Sequence, residues 1–502
     1  MISMCHILQY LFLFFIVRLL LSYNKRLVLN VLGVGIGVWY IAEALKCILQ
    51  LLAIHSSNHT GFVFTGHFDN PGPLGGFLSV IGTIAVTYLI INRKRCSKVA
   101  RYFCWVMVAL LVVLLPASMS RAAWVSCGVA VLICVSVEFN IGEFIKRRKI
   151  FSIISVIVLI MLIAGSFYMK RDSALGRFHI WKIEILAIMD GPIGGYGEGR
   201  ALGVYGETQA DYFRSGIGSE EDIAIAGCPE YAFNELLKIG IERGALAMLI
   251  VLMAVSFCII RLFSIHSPFA FGMISLCVFS LFSYPFSLWQ FKVLFTLFIA
   301  VSLSNTSGNR LFVVTDRIIS IILIGILLIF SSDCFEYQKS RREAKDKWKS
   351  LSGMAAFEMY DEIAAGLEPL IPLLKDNYRF LYDYGYALHK CGKYVESNEI
   401  LEEGVLISSD PMFHNIIGKN YEGMGLYSFA KEKYEYSHYM VPCRLYPLVL
   451  LEELHLKLGE IEEAEKVLDK INGMPVNEKN HSMRDLKRRA NNSYRKNVEI
   501  CE

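Results

Sequence analysis

The sequence predicts an all-α protein: a polytopic helical membrane domain of about ten spans, then a water-soluble C-terminal domain of helical repeats. Three observations carry this reading. Of 502 residues, 54% are hydrophobic and only 19% charged, and the mean hydropathy is +0.45. An ordinary globular chain carries roughly 25% charged residues. The charges are also unevenly spread: residues 333–502 hold 29 acidic and 24 basic side chains, leaving 43 for everything before them. Finally, glycines near the C-terminus recur at intervals of 33 and 34 residues. The domains predicted are therefore a membrane domain over 1–332, with a polar loop at 170–234, and a repeat domain over 333–502. A net charge of +4 with no basic tail gives no footing for nucleic acid.

A membrane-spanning helix needs about 20 mostly apolar residues. Runs of that kind lie near 2–22, 28–52, 74–92, 101–117, 121–138, 150–169, 235–262, 268–284, 286–304 and 312–332, with room for a re-entrant break around Pro285. Lys and Arg are retained on the cytoplasmic side of short connections. One set of connections is basic: Lys25 and Arg26, then Arg93 to Lys98, the run Lys146–Lys149, then Arg261 and Arg310. The alternate set, His55 to Pro73, Pro116 to Ser120 and Tyr284 to Gln290, has no Lys or Arg. This pattern places the 170–234 loop and the whole tail outside the cytoplasm. Charges inside the runs are few: Arg18, Glu43, Lys46 and Lys292.

Thirteen scattered cysteines show no CxxC pair and no His/Cys spacing suited to a metal. No cofactor or metal site is expected. A disulfide among Cys334, Cys391 and Cys443 stays open.

The tail repeats one pattern. Gly392, Gly425 and Gly459 are each followed two residues on by Tyr394, Tyr427 and Ile461, then by Ser397, Ala430 and Ala464. Tyr384-Gly385 and Ile417-Gly418 stand seven residues upstream, and Pro411, Pro442 and Pro475 close the units. A period near 34, with small residues where two helices cross, resembles tetratricopeptide repeats. Such arrays bury their apolar faces by stacking and bind protein partners. Here the array reads as a stabilising or docking appendage without a catalytic group.

Four segments in order carry the chemistry. They are Thr65–Gly76 (TGHFDNPGPLGG), Ser118–Trp124 (SMSRAAW), Gly176–Trp181 continuing to Asp190–Gly197 (DGPIGGYG), and Tyr231–Leu237 with Glu242-Arg243-Gly244. Asn70, before Pro71, is placed to cap the helix that follows. The stretch Gly191–Gly199 lacks the GK[ST] ending of a phosphate loop and reads as a turn. Together the four segments resemble the O-antigen ligase/polymerase superfamily, over roughly residues 60–300. A repeat tail after the last span is similar to many of its members.

The resemblance implies a multi-pass protein of the bacterial inner membrane, with the loop and tail periplasmic. It implies a metal-independent glycosyltransferase that moves a glycan from undecaprenyl pyrophosphate to a sugar or lipid A-core acceptor, as polymerase or ligase in O-antigen, capsule or lipopolysaccharide assembly. The partners implied are the lipid-linked donor, the acceptor and membrane lipids, with a protein partner on the repeats. A departing pyrophosphate gathers negative charge, which arginines stabilise. Arg177 and Arg121 match the superfamily's recurrent arginines and are the expected diphosphate binders, with Arg200 and Arg214 behind them. Any of these also suits snorkelling to headgroups. The segment Tyr205–Arg214, with Tyr205 and Gln209, suits sugar faces and hydroxyls, or else forms an amphipathic helix on the membrane.

One departure stands out. Where relatives show His-Asn, this chain has Phe233-Asn234. His179 is the nearest histidine to the arginines in sequence, and Glu235 and Glu242 are carboxylates able to accept a hydroxyl proton. The rival readings are a lipid-linked glycan flippase and a non-catalytic scaffold. A flippase asks for midplane charges and matching halves, which this sequence does not display.

Overall fold

The computed structural model describes residues 2–139, 171–304, 310–475 and 481–501. The apolar run 150–169 and the basic run Lys146–Lys149 lie outside them. Among the described residues every regular element is helical, as the sequence predicts. Contacts divide the chain into two compact units. The first is Met1–Arg171, Phe233–Leu236 and Met248–Phe335; the second is Asp172–Ala232, Leu237–Ala247 and Glu336–Glu502.

The first unit holds the apolar helices. In order they are α1 (Ile2–Tyr23), α2 (Lys25–Leu51), α3 (Pro71–Ile91), α4 (Lys98–Ala117) and α5 (Arg121–Glu138). Glu235–Ser264, Phe269–Ser280, Trp289–Ser302 and Arg310–Ile329 follow. Among the described residues five of these helices are long and apolar enough to cross a membrane, with a sixth if the bent pair 313–329 and 331–357 counts as one span. Among the described residues, the runs 268–284 and 286–304 form helices shorter than a full span. The stretch 268–304 breaks at Pro285 into helices of 12 and 14 residues around a short 3-10 turn, because proline cannot donate to the helical ladder.

The centre of this unit is α3, almost wholly buried. Asn70 caps it as expected, its side chain accepting the Gly72 N–H at 2.8 Å. Small residues let neighbours approach. A Cβ on Gly76 would meet the Phe279 ring at 2.3 Å, and one on Gly82 would meet Leu111 at 2.6 Å. The Ser79 hydroxyl joins Ser126 at 2.7 Å and Ser275 at 2.9 Å, tying α3 to α5 and to the 269–280 helix. Close backbones and short hydroxyl bridges are how helices associate where lipid supplies no hydrophobic drive. Two of the rare charges find partners inside the unit: Arg18 pairs with Asp316 and Glu43 with His67.

The second unit joins the polar loop to the tail. Tail helices come in consecutive packed pairs: Tyr378–Lys390 with Tyr394–Val405, Met412–Gly423 with Tyr427–Met440, and Tyr446–Lys457 with Ile461–Gly473. Gly392, Gly425 and Gly459 occupy the same turn in each pair at φ +74°, +76° and +74°, a conformation glycine adopts at no steric cost. Gly385 and Gly418 sit where the helices cross; a Cβ there would strike Leu401 at 2.6 Å and Tyr434 at 2.4 Å.

The loop helix Ala201–Arg214 lies against this array. A Cβ on Gly203 would come within 2.3 Å of the Leu406 carbonyl oxygen, and one on Gly206 within 2.7 Å of Met440. Ser409 Oγ donates to the Pro229 carbonyl at 3.0 Å, Arg379 pairs with Glu230 at 2.7 Å, and Arg444 reaches Cys228 Sγ at 2.9 Å. The array thus clamps the chain's own loop.

Gly203→Ala puts a methyl group against backbone oxygens that cannot step aside. It should destabilise the loop–repeat unit by about 2 kcal/mol. Thermal melting of the purified chain in detergent checks this; an unshifted midpoint contradicts it.

Candidate functional site

The predicted site residues fall in both units. In the first, Arg121 opens α5 and is half-buried. The residue before it, Ser120, donates its hydroxyl to the Gly72 carbonyl at 3.2 Å. A Cβ on Gly75 would lie 2.7 Å from Ser118 Oγ. The first two sequence motifs are therefore in contact. Asn234 is buried and caps the next helix through the Leu236 N–H at 3.0 Å. Glu235 is buried and its carboxylate accepts the Phe286 N–H at 2.8 Å, fixing the turn after Pro285. Phe233, at the position where relatives carry histidine, packs edge-on against Tyr284.

In the second unit, Arg177 lies half-buried on the helix Arg171–Met189 and makes protein contacts. Two residues on, His179 is 2% exposed. Its Nδ1 faces Asp222 Oδ1 at 3.3 Å and its Nε2 faces Gln209 Oε1 at 3.0 Å. Tyr205 donates its hydroxyl to the same Gln209 oxygen at 2.6 Å. Gln209 Nε2 in turn donates to the carbonyls of Gly227 and Met440. The other Asp222 oxygen accepts from the Tyr212 hydroxyl at 2.8 Å and from Lys182 Nζ at 3.2 Å.

Tyr205 and Gln209 are each 1% exposed, turned into the unit with His179, whose two ring nitrogens both face protein groups. The reason is helical spacing. Tyr205, Gln209, Tyr212 and Phe213 form one face of the 201–214 helix, packed with His179, Ile183 and Ala226 of the loop, while Gly203, Gly206 and Ala210 meet the repeats. Its opposite face presents Glu207, Asp211 and Arg214 outward. The sequence reading passed over Glu207 and Asp211, although their i, i+4, i+7 spacing with Arg214 signalled a shared face. Arg214 stands over the rings of Tyr436 and Tyr439 at 5.5 and 5.9 Å. It is a polar edge beside aromatic rings, a surface chemistry suited to sugars.

The glycine-rich turn has a structural cause. Gly195 and Gly244 both adopt positive φ, +75° and +83°, where the turn crosses the helix at residues 241–244. A Cβ on Gly244 would sit 1.9 Å from the Ile193 carbonyl oxygen. Gly197 N–H donates to the Glu242 carbonyl at 3.0 Å, and Gly199 N–H to the Glu242 carboxylate at 3.1 Å. Glu242 therefore pins the turn that ends at Arg200, which is exposed at the start of the 201–214 helix. Gly244 also breaks the 235–264 helix, so Glu242 belongs to a short polar segment ahead of the apolar one.

These features define a multi-pass helical membrane protein. Residues 106–252 match the family described as O-Antigen ligase, which supports the superfamily that the four ordered motifs predict and a role in glycosyl transfer during polysaccharide assembly. No curated protein matches the chain.

Asp222 supplies a pH test of the network. Burial pushes its carboxyl up, but hydrogen bonds from Tyr212, Ser219 and Lys182 outweigh burial and hold it well below the ordinary value of 3.8. A carboxyl held low stabilises the fold fully above that ordinary value and loses the contribution as pH falls beneath it. Asp222→Asn should lower the melting midpoint at pH 6, with the difference shrinking steadily as the pH falls below 3.8. A constant difference across that range contradicts the assignment.

Proposed function

We propose that the chain transfers a glycan from undecaprenyl pyrophosphate to a sugar or lipid acceptor on the periplasmic face of the bacterial inner membrane, as polymerase or ligase. The observation that carries this is the family match over 106–252. That stretch includes Arg121, Arg177, Arg200, Arg214, Glu235 and Glu242. The periplasmic side follows from the basic connections on the opposite side of the apolar helices.

Arg177 and Arg121 are each proposed, one by one, as groups that meet the diphosphate, whose charge grows as the glycosidic bond breaks; fixed guanidinium groups stabilise that charge without rearranging. Glu242 acts through the turn it pins, setting the position of Arg200. Glu235 acts likewise through the Phe286 turn. The outward edge of Glu207, Asp211 and Arg214, beside Tyr436 and Tyr439, receives sugar hydroxyls and faces. The repeat array, tetratricopeptide-like in its period, holds that edge in place, and its remaining surface is open to a protein partner.

A strain lacking the chain should lose mature surface glycan. A product collapsed to one repeat unit marks a polymerase, and full-length glycan stranded on the lipid carrier marks a ligase. Wild type should restore the profile, and Arg177→Ala, present in the membrane at wild-type amount, should fall short by about 100-fold or more. Restoration by Arg177→Ala removes that arginine's role; an unchanged profile in the deletion strain overturns the reading.

A further inference from the structure

Glu43 is a buried charge to which the function proposed above gives no part. It is 3% exposed and stands eight residues before the end of α2, a helix long and apolar enough to cross a membrane. A buried carboxylate on such a helix is costly unless partnered, and it marks function by default. Its partner is Thr65–His67, which runs back along the α2 face formed by Glu43, Cys47 and Gln50, residues four and three apart. Gln50 Oε1 accepts the Thr65 and Gly66 N–H groups at 3.0 and 2.8 Å. Its Nε2 donates to the carbonyls of Ser56 and Gly66. Glu43 Oε2 then accepts the His67 N–H at 3.1 Å, and Glu43 Oε1 meets His67 Nδ1 at 2.9 Å. Gly66, at φ +62°, is where the chain passes closest: a Cβ there would lie 2.8 Å from the carboxylate.

A carboxylate on Nδ1 fixes that nitrogen as the protonated one, so Nε2 carries the lone pair. The His67 side chain is 57% exposed while the Glu43 side chain is 5% exposed. The buried partner orients the ring, and the basic nitrogen faces outward. Three residues on, Asn70 caps α3, whose Gly72 carbonyl receives the hydroxyl of Ser120, next to Arg121. The dyad thus stands on the segment that touches the start of the Arg121 helix. Within the same unit Phe233 offers no base, and Glu235 is buried with one carboxylate oxygen accepting the Phe286 N–H.

We propose that His67, oriented by Glu43, is the general base of the transfer reaction. The inference rests on the function proposed above. The acceptor hydroxyl gives its proton to His67 Nε2 as its oxygen bonds to the anomeric carbon. The bond from that carbon to the pyrophosphate oxygen breaks with its electron pair, and the lipid diphosphate departs. His67 then returns the proton to solvent.

The test uses the full chain in proteoliposomes with a lipid-linked glycan and an acceptor. His67→Ala should lower kcat by about 100-fold to 10,000-fold with little change in donor KM, and added imidazole should restore part of it. His67→Asn keeps a donor toward Glu43 but has no basic nitrogen, so it should melt like wild type and be as inactive. Glu43→Gln keeps one acceptor for two donors and should lose kcat partially, as expected of a positioning residue. If wild type transfers and either His67 variant stays within about threefold of its kcat, or if imidazole rescues nothing, His67 is not the base. If wild type itself transfers nothing, the function proposed above falls, and this inference with it.

Discussion

Backbone that leaves a helix inside a membrane domain must satisfy its hydrogen bonds within the protein, since lipid offers none. In this chain two side chains of α2 meet that demand. Gln50 and Glu43 take up the amide hydrogens of Thr65, Gly66 and His67. That contact sets where the first motif runs, hence where Asn70 caps α3 and where Gly72 meets Ser120. α3 then becomes the buried centre on which α5 and the 269–280 helix pack through their serines. The placement of Arg121 follows from an amide and a carboxylate some 70 residues earlier.

The second unit obeys a different constraint. A solvated loop of about 60 residues orders itself only against something larger, and the repeat array supplies that surface. Gly203 and Gly206 let the loop helix approach to backbone contact, and the His179–Gln209–Asp222 network satisfies the polar groups this closure buries. Loop and tail are thereby one device, with Arg200 and Arg214 on its exposed parts.

Much of the fold was legible in sequence because its signals are local. Apolar length marked the helices, Pro285 marked the break, and the spacing of Gly392, Gly425 and Gly459 marked the turns. Asn70 before Pro71 announced its cap. What stayed hidden depends on distant partners. Gln209 meets the Met440 carbonyl 231 residues away, so nothing nearby told which face of 201–214 would turn inward. Glu43 was visible only as a rare charge in an apolar run, since its partner lies 24 residues off across a polar connection. The arginines were legible as residues but not as a site, because diphosphate binding leaves no spacing of its own.

The most direct measurement of the central claim is transfer by the purified chain alone. Reconstituted with a lipid-linked glycan and an acceptor, it should release one lipid diphosphate for each glycosylated acceptor formed. Donor consumed without acceptor gain, or donor carried across the bilayer intact, would contradict glycosyl transfer and return the chain to hydrolysis or transport.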